Sequence, residues 1–263
     1  MSDAPARGVP VDLFEDDLVV TGRVMPASNA TYVGTIGDVE VVYKPVAGER
    51  PLWDFPDGTL AWREVAAFLV SEVTGWDVVP PTWLREGPHG VGVVQRWQTV
   101  DPAQEAVTLV PAGRVPDGML HVFDGYDARD QRISLVHEDT APLRRMAVLD
   151  VVTNNADRKG GHVLEMPGGH RYGVDHGLTF HEEHKLRTVL WGWLGRPLTD
   201  DELDGVRRLR SSLDDEAGLG GSLPGLLTER EVEAFARRCE ALLSAGTFPE
   251  PSGPMPAVPW PPF

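Results

Sequence analysis

The sequence lacks several features that would place it in a common functional class. Cys239 is its only cysteine, so no disulfide can form within the chain, and we expect an ordinary small buried side chain there. No apolar run approaches the roughly 18 residues of a membrane span, and the first residues contain no apolar signal region. We therefore expect a soluble, cytoplasmic protein without stable membrane insertion.

Basic residues are also scarce. The 263 residues include 24 Lys and Arg against 40 Asp and Glu, which gives a formal net charge of −16. Nucleic-acid binding requires Lys and Arg to neutralise phosphates, so we expect no nucleic-acid partner. The same acidity opposes binding to an anionic membrane surface. A P-loop is excluded as well, because the pattern G-x-x-x-x-G-K-[ST] does not occur.

The strongest positive signal lies in residues 151–180. Two short apolar runs, residues 162–166 and 170–174, flank the sequence Pro-Gly-Gly, a pattern that predicts a β-hairpin. Asp157 lies just before the first strand and Asp175 just after the second. Because a hairpin brings the start of one strand beside the end of the other, both carboxylates should lie at one end of it. With basic residues next to Asp157, they suit a metal ion and a phosphate.

The amino-terminal half predicts a small α+β lobe, residues 13–98, that follows a loose arm at residues 1–12. Alternating apolar residues and turn signals predict an antiparallel sheet, and helical spacing predicts one helix with Thr59 as its N-cap and Gly75 at its end. The predicted strands are residues 18–25, 31–35, 39–46, 78–84 and 91–97. The predicted helix is residues 60–73.

The remaining chain predicts a mainly helical second lobe, residues 99–248. Residues 99–138 have weak signals, whereas four later segments have helical spacing. These are residues 143–152, 186–194, 200–210 and 228–243. Residues 249–263 are too rich in proline for a helix, so we expect a tail that is either free or strapped across the surface.

Lys44 in a predicted strand, Glu64 in the following helix, then Asp157 and Asp175 occur in the order that phosphoryl transfer requires. Taken singly, each has an ordinary explanation. Lys44 suits a solvated strand edge, Glu64 a pair with Arg63, and the aspartates turn or loop positions. Their joint occurrence in this order favours a phosphate-transfer site.

The segments T-N-N-A-D-R-K-G-G-H and G-V-D-H-G-L-T-F resemble the phosphatidylinositol 3-/4-kinase superfamily. The likeness is greatest to the type II phosphatidylinositol 4-kinases and their bacterial relatives, which also resemble HipA-type kinases. The amino-terminal segments V-V-Y-K-P, R-E-V-A-A-F-L-V-S and V-V-Q-R-W agree, and the resemblance covers about residues 19–194. It implies a two-lobed protein-kinase-like α+β fold with a catalytic β-hairpin.

The resemblance also implies an atypical ATP-dependent kinase that uses Mg²⁺ or Mn²⁺ and transfers the γ-phosphate to a hydroxyl. Lys44 would bind the α- and β-phosphates with Glu64 as its partner, Asp157 would be the catalytic acid, and Asp175 would bind the metal. Arg158 or Lys159 would steady the transferring group. The remaining predicted nucleotide contacts are the phosphate-covering loop, Ser28, Asn29 and Thr31, and the hinge facing adenine, Gln95, Arg96 and Trp97.

One position departs from this pattern. Five residues after the catalytic aspartate the family has asparagine, a second metal ligand, but this chain has His162. Histidine binds Mn²⁺ or Zn²⁺ better than Mg²⁺. Four explanations are open: one metal suffices, the preferred metal differs, Asn154 or Asn155 substitutes, or activity is impaired and the chain is a nucleotide-binding regulator. Transfer of AMP instead of phosphate is a further alternative. The net charge favours a protein or small-molecule acceptor over lipid.

Overall fold

The computed structural model describes residues 12–25, 29–56 and 58–263. It has the predicted two-lobed α+β architecture, with an antiparallel sheet and one long helix in the amino-terminal lobe and most helices in the carboxy-terminal lobe. The five-stranded sheet and the long helix lie within the predicted lobe of residues 13–98, whose limits stay a prediction. A short helix, α1 (Asp12–Glu15), precedes the sheet.

The amino-terminal sheet contains five antiparallel strands in the order β1-β2-β3-β5-β4. Apolar side chains of β3 alternate between buried and partly exposed positions, as expected for a sheet with one face on the core. The order places β3 at the centre, and Val42, Lys44 and Pro45 of β3 line a cleft below the sheet. The strands are β1 (Leu18–Arg23), β2 (Tyr32–Ile36), β3 (Val39–Pro45), β4 (Thr82–Gly87) and β5 (Gly90–Arg96).

Helix α2 (Leu60–Thr74) packs against this sheet and ends at Gly75, which adopts the left-handed conformation with φ 70°. Thr59 occupies the N-cap position as predicted, but its side chain makes no capping hydrogen bond. Instead the carboxylate of Glu49 accepts hydrogen bonds from the backbone N–H groups of Leu60 at 3.1 Å and Ala61 at 3.0 Å. A capping group eleven residues away leaves no local pattern in the sequence.

A second sheet occupies the region whose sequence signals are weak. It contains β6 (Val107–Pro111), β7 (Met119–Tyr126) and β8 (Arg132–Glu138), with β8 in the middle. Only β8 has a continuous buried run, while β6 and β7 are edge strands with many exposed positions. Edge strands carry a weaker hydrophobic signal, which explains why this sheet was not predicted from the sequence.

Helix α3 (Ala141–Thr153) ends at Asn154, which is left-handed with φ 57°. The predicted hairpin follows as β9 (Val163–Glu165) and β10 (Arg171–Gly173), joined by the turn Pro167–Gly169. The helix predicted at residues 186–194 is wrong, because only the 3₁₀ turn Trp191–Trp193 forms there. Three further helices complete the lobe: α4 (Asp200–Leu213), α5 (Leu219–Ser222) and α6 (Glu229–Ala245).

One hydrophobic core connects the two lobes, and Cys239 is buried within it as expected. A buried arginine strengthens this connection, since Arg63 of α2 donates to the carbonyl of Thr179 at 2.6 Å and pairs with Glu231 of α6. Arg63 therefore does not pair with its neighbour Glu64. Among the residues that the structure describes, no helix is both long and apolar enough to cross a membrane.

Candidate active site

A cleft of about 1090 Å³ lies between the five-stranded sheet and the hairpin. Most of the predicted site residues line it, although they come from distant parts of the chain. Ser28 lies outside the described residues. The predicted residues that line the cleft are Asn29, Thr31, Lys44, Glu64, Gln95, Arg96, Trp97, Asp157, His162 and Asp175.

Lys44 on β3 is at the centre of this cleft. Its ammonium donates to Glu64 Oε1 at 2.7 Å and also contacts Asp175 Oδ1. Burial lowers the pKa of Lys44, but the Asp175 and Glu64 carboxylates outweigh it and raise that pKa above its usual value. The same ammonium lowers the pKa of Asp175. Lysine and aspartate are therefore both ionised at neutral pH.

Glu64 has a second role in this arrangement. Its other oxygen, Oε2, accepts a hydrogen bond from the backbone N–H of His176 at 3.0 Å. His176 follows Asp175, which adopts a left-handed backbone conformation with φ 61°. A carboxylate on α2 therefore holds both the lysine of the sheet and the backbone beside the metal-ligand candidate.

His162 lies beside Asp175, with 3.5 Å between its Nε2 and the aspartate Oδ2. Burial lowers the pKa of His162 to about 4, so its imidazole is neutral at pH 7, the form that can bind a metal. Among the described residues, no group of three or more His, Cys, Asp or Glu side chains is placed to hold a metal ion. A metal held by this pair would need its other ligands from phosphates and water.

Asp157 is half-buried in the loop that precedes the hairpin. Burial raises its pKa, and the ammonium of Lys159, 3.4 Å from Oδ2, partly opposes that rise. The side chain of Asn155 accepts from the Asp157 N–H at 3.0 Å and so sets the backbone of the loop. A raised pKa brings a carboxylate closer to the range in which it can accept a proton during catalysis.

The prediction that Arg158 contacts the transferring phosphoryl group needs correction. Its side chain is fully buried, and the guanidinium pairs with the equally buried Asp150 of α3. It also donates to the carbonyls of His162 at 3.2 Å and Val174 at 3.0 Å. Arg158 therefore joins the loop that precedes the hairpin to the residues before its first strand and after its second, and its guanidinium does not line the cleft.

The two asparagines, which were alternative metal ligands, have their Oδ1 atoms occupied by the backbone N–H groups of Lys185 at 2.9 Å and Asp157 at 3.0 Å. The Asn154 amide donates to the carbonyls of His181 and Glu183, at 3.0 and 2.6 Å. The Asn155 amide donates to Asp150 at 2.9 Å. Both side chains are buried and neither lines the cleft, so they maintain the loop instead of facing a ligand.

The other end of the cleft carries the predicted adenine contacts. Gln95 is buried on β5 and donates to Thr82 Oγ1 at 2.8 Å, while the side chain of Trp97 is 44% exposed. In the predicted phosphate-covering loop, Asn29 Oδ1 accepts from the backbone N–H of Arg50 at 2.9 Å. Asn29 is therefore tied to a residue that follows β3.

Several residues that line the cleft were not predicted. The carboxylate of Glu49 lies there because it caps α2, and Arg50 is next to it. Phe263 lines the cleft from the opposite side, within the proline-rich tail. Sequence spacing contains no signal for these positions, because each depends on how distant segments pack.

Asp150, the buried partner of Arg158, was not predicted either, but the sequence did contain a signal for it. It is an acidic residue in a helix that is otherwise apolar on most sides.

No model of a known protein family matches the chain. Protein Rv2133c of Mycobacterium tuberculosis is 48% identical over 264 residues, which cover 95% of this chain and 94% of that protein. Phosphatidylinositol 4-kinase gamma 6 of Arabidopsis thaliana is 28% identical over 165 residues, or 58% of this chain and 26% of the plant protein.

A second plant protein, phosphatidylinositol 4-kinase gamma 7, is 26% identical over 58% of this chain and 24% of its own length. The matched region therefore spans about a quarter of either plant kinase. Among solved structures, the proinflammatory kinase CtkA of Helicobacter pylori has a TM-score of 0.47 and 11% identity, covering 89% of this chain and 93% of that chain. The likeness to plant kinases agrees with the sequence resemblance, whereas the HipA-type relationship stays a prediction.

Proposed function

We propose that this chain, which belongs to the same family as Protein Rv2133c of Mycobacterium tuberculosis, is an ATP-dependent kinase of the phosphatidylinositol 3-/4-kinase-like type. The reaction would move the γ-phosphoryl group of ATP to a hydroxyl group held in the cleft. The similarity to segments of two plant phosphatidylinositol 4-kinases supports this proposal. The observation that carries it is the contact of one lysine ammonium with two carboxylates from different lobes.

Lys44 would bind the α- and β-phosphates of ATP. Phosphoryl transfer involves little covalent chemistry by the protein, so positioning and charge stabilisation provide most of the catalysis. Glu64 suits the partner role, because it contacts the ammonium and leaves two further N–H bonds free for phosphate oxygens. When phosphates enter, the ammonium would exchange its contact with Asp175 for contacts with the nucleotide.

Asp175 and His162 would hold the divalent metal, which when bound neutralises phosphate charge. One carboxylate and one neutral imidazole favour Mn²⁺ relative to a site made of oxygens alone. The ionised state of Asp175 and the neutral state of His162 are the states that a metal needs. We therefore expect greater activity with Mn²⁺ than with Mg²⁺.

Asp157 would orient the acceptor hydroxyl and accept its proton. Lys159, 3.4 Å from that carboxylate and also in the cleft, replaces Arg158 as the cation beside the transferring group. Arg158 has a different role in this proposal: it holds the loop and the hairpin at a fixed separation. The acceptor is a protein or small-molecule hydroxyl, since the net charge of −16 opposes an anionic lipid surface.

The test is phosphate transfer from γ-labelled ATP by purified protein, in Mg²⁺ and in Mn²⁺, with cell extract as the source of acceptors. Asp157→Asn and Asp175→Asn should abolish transfer, because each removes a charge without changing the side-chain shape. Glu216→Gln is the matched control, since Glu216 is exposed outside the cleft. Equal labelling by the wild type and both aspartate variants would overturn the proposal.

His162 motivates a second candidate function, a nucleotide-binding regulator without catalysis. In that case the protein would bind ATP tightly and transfer no phosphate with either metal. Mass spectrometry of any modified product separates a third possibility, AMP transfer, because adenylate adds a far larger mass than phosphate. His162→Asn restores the family pattern, so a gain of Mg²⁺-dependent transfer in that variant would favour impaired catalysis in the native chain.

A further inference from the structure

The proline-rich tail, residues 249–263, is fixed along the carboxy-terminal lobe, and we call it the strap. Its first anchor is the segment that follows the hairpin. The backbone N–H of Thr188 donates to the carbonyl of Ala257 at 3.0 Å, and the indole N–H of Trp191 donates to the same carbonyl at 2.8 Å. Pro259 is buried beside them, and Ser252 contacts His184 at 3.1 Å.

The second anchor is the catalytic loop itself. The backbone N–H of Gly160 donates to the carbonyl of Pro262 at 2.8 Å. The ring of Phe263 lies so close to Gly160 that a β-carbon there would be 2.3 Å from the ring atom Cε1. Only glycine allows this approach, so the loop and the strap have matching shapes.

Phe263 also lines the cleft, as do Asp157, Lys159 and His162. The residue is 46% exposed, so its ring packs on Gly160 at the border of the space that an acceptor would enter. An aromatic ring at this point offers no hydrogen bond and occupies volume that water would otherwise fill. Its place among the catalytic-loop residues gives it a direct effect on what reaches the carboxylate.

We propose that Phe263, carried by the strap, is a specificity-determining residue at the acceptor end of the cleft. This inference rests on the proposed kinase function. The ring restricts access to Asp157, so that water is a poor acceptor and a hydroxyl must be presented on a group with an apolar face. Kinases must prevent transfer to water, and a site that excludes water achieves this.

The first test measures access without any need for catalysis. Lys159→Cys introduces a thiol beside the ring, and the native Cys239 stays silent because burial keeps it protonated, with a pKa raised to about 12. Labelling of this thiol by iodoacetamide should be several-fold faster after Phe263→Ala. Trp260→Ala is the matched control, since Trp260 belongs to the same strap but is 76% exposed and does not line the cleft.

Phe263→Leu provides a second variant that retains an apolar anchor and should give an intermediate labelling rate. All of these proteins carry Lys159→Cys. Equal labelling rates with Phe263→Ala, with Trp260→Ala and with the native strap would overturn the proposal. This outcome is independent of the kinase assignment, because labelling requires no nucleotide.

The second test uses water as the acceptor. Hydrolysis of ATP without any added acceptor should rise several-fold in Phe263→Ala, while ATP affinity measured by calorimetry stays unchanged. Unchanged or lower hydrolysis with unchanged affinity would refute water exclusion. If the wild type neither binds nor hydrolyses ATP, the kinase proposal fails, whereas the labelling result still decides whether the ring covers the loop.

Discussion

Replacing Arg158 by methionine should destabilise the fold severely, because its guanidinium is buried with several partners. Both Arg158 and Asp150 have no solvent exposure, and the pair is joined by hydrogen bonds of 2.9 to 3.2 Å. Removing one partner of a buried ion pair leaves an uncompensated charge and costs about 3–5 kcal/mol. In the variant, Asp150 would still accept a hydrogen bond from the Asn155 amide at 2.9 Å, which compensates part of its charge. We therefore expect the free energy of unfolding to fall by about 3 kcal/mol, the lower end of that range.

Urea unfolding followed by circular dichroism at pH 7 measures this loss. The double variant Asp150→Leu, Arg158→Met should recover most of it, because it removes the buried charge that the single variant leaves. Arg207→Met is the matched control, since Arg207 pairs with Asp204 on the surface and its removal should change stability little. A single variant that unfolds like the wild type but transfers no phosphate would refute the structural role and restore a catalytic one.

Three further predictions follow from the site and its surroundings. Glu64→Gln should lower ATP affinity about fivefold, because Lys44 loses a charged hydrogen bond that is worth roughly 1 kcal/mol more than a neutral one. Calorimetry measures this affinity, and an unchanged value would contradict the prediction. His137 accepts a hydrogen bond from the Gly192 N–H, and burial lowers its pKa to about 4. Its contribution to the stability of the fold is therefore complete above pH 6.5, the range in which the unfolded chain is also neutral there, and falls as the pH drops towards 4. Between pH 7 and pH 4.5 the free energy of unfolding, measured with urea, should therefore fall by about 2–3 kcal/mol more in the wild type than in His137→Leu. Equal losses in the two proteins would show that His137 does not cause this pH dependence. Gly160→Ala should speed proteolysis of the strap, because a β-carbon there would be 2.3 Å from the ring of Phe263. Gly161→Ala is the control, since a β-carbon at that position meets no atom within 4 Å. Equal cleavage of the two variants would mean that the position of the Phe263 ring does not depend on Gly160.

Local chemistry explains which parts of the fold could be predicted. Strands β1–β3, helix α2 and the hairpin have clear periodicity and glycine or proline at their ends, and each lies within two residues of the predicted place. The helix predicted at residues 186–194 failed for a different reason. Its backbone donors bond to distant acceptors, since the N–H groups of Arg187, Thr188 and Val189 pair with residues 155, 257 and 158. Apolar spacing alone does not reveal such pairing.

The candidate site divides in the same way. Lys44, Glu64, Asp157 and Asp175 were predicted because their residue types and chain order match the requirements of phosphoryl transfer, and the structure brings all four to one cleft. Arg158 was misjudged because an arginine next to a catalytic aspartate has the same sequence signature whether it faces a phosphate or a buried carboxylate. Only its burial against Asp150 distinguishes the two.

By itself the sequence determined the chemistry that is available to this protein: an acidic chain without a P-loop, a hairpin with one aspartate before its first strand and another after its second, and a lysine and a glutamate on separate elements of one lobe. Those features depend on residues that are close in the chain. The tertiary structure alone decided that Glu49 caps α2, that Arg158 is internal and that Phe263 borders the catalytic loop. These contacts join residues far apart in sequence, where burial and packing, and not local spacing, select the partner.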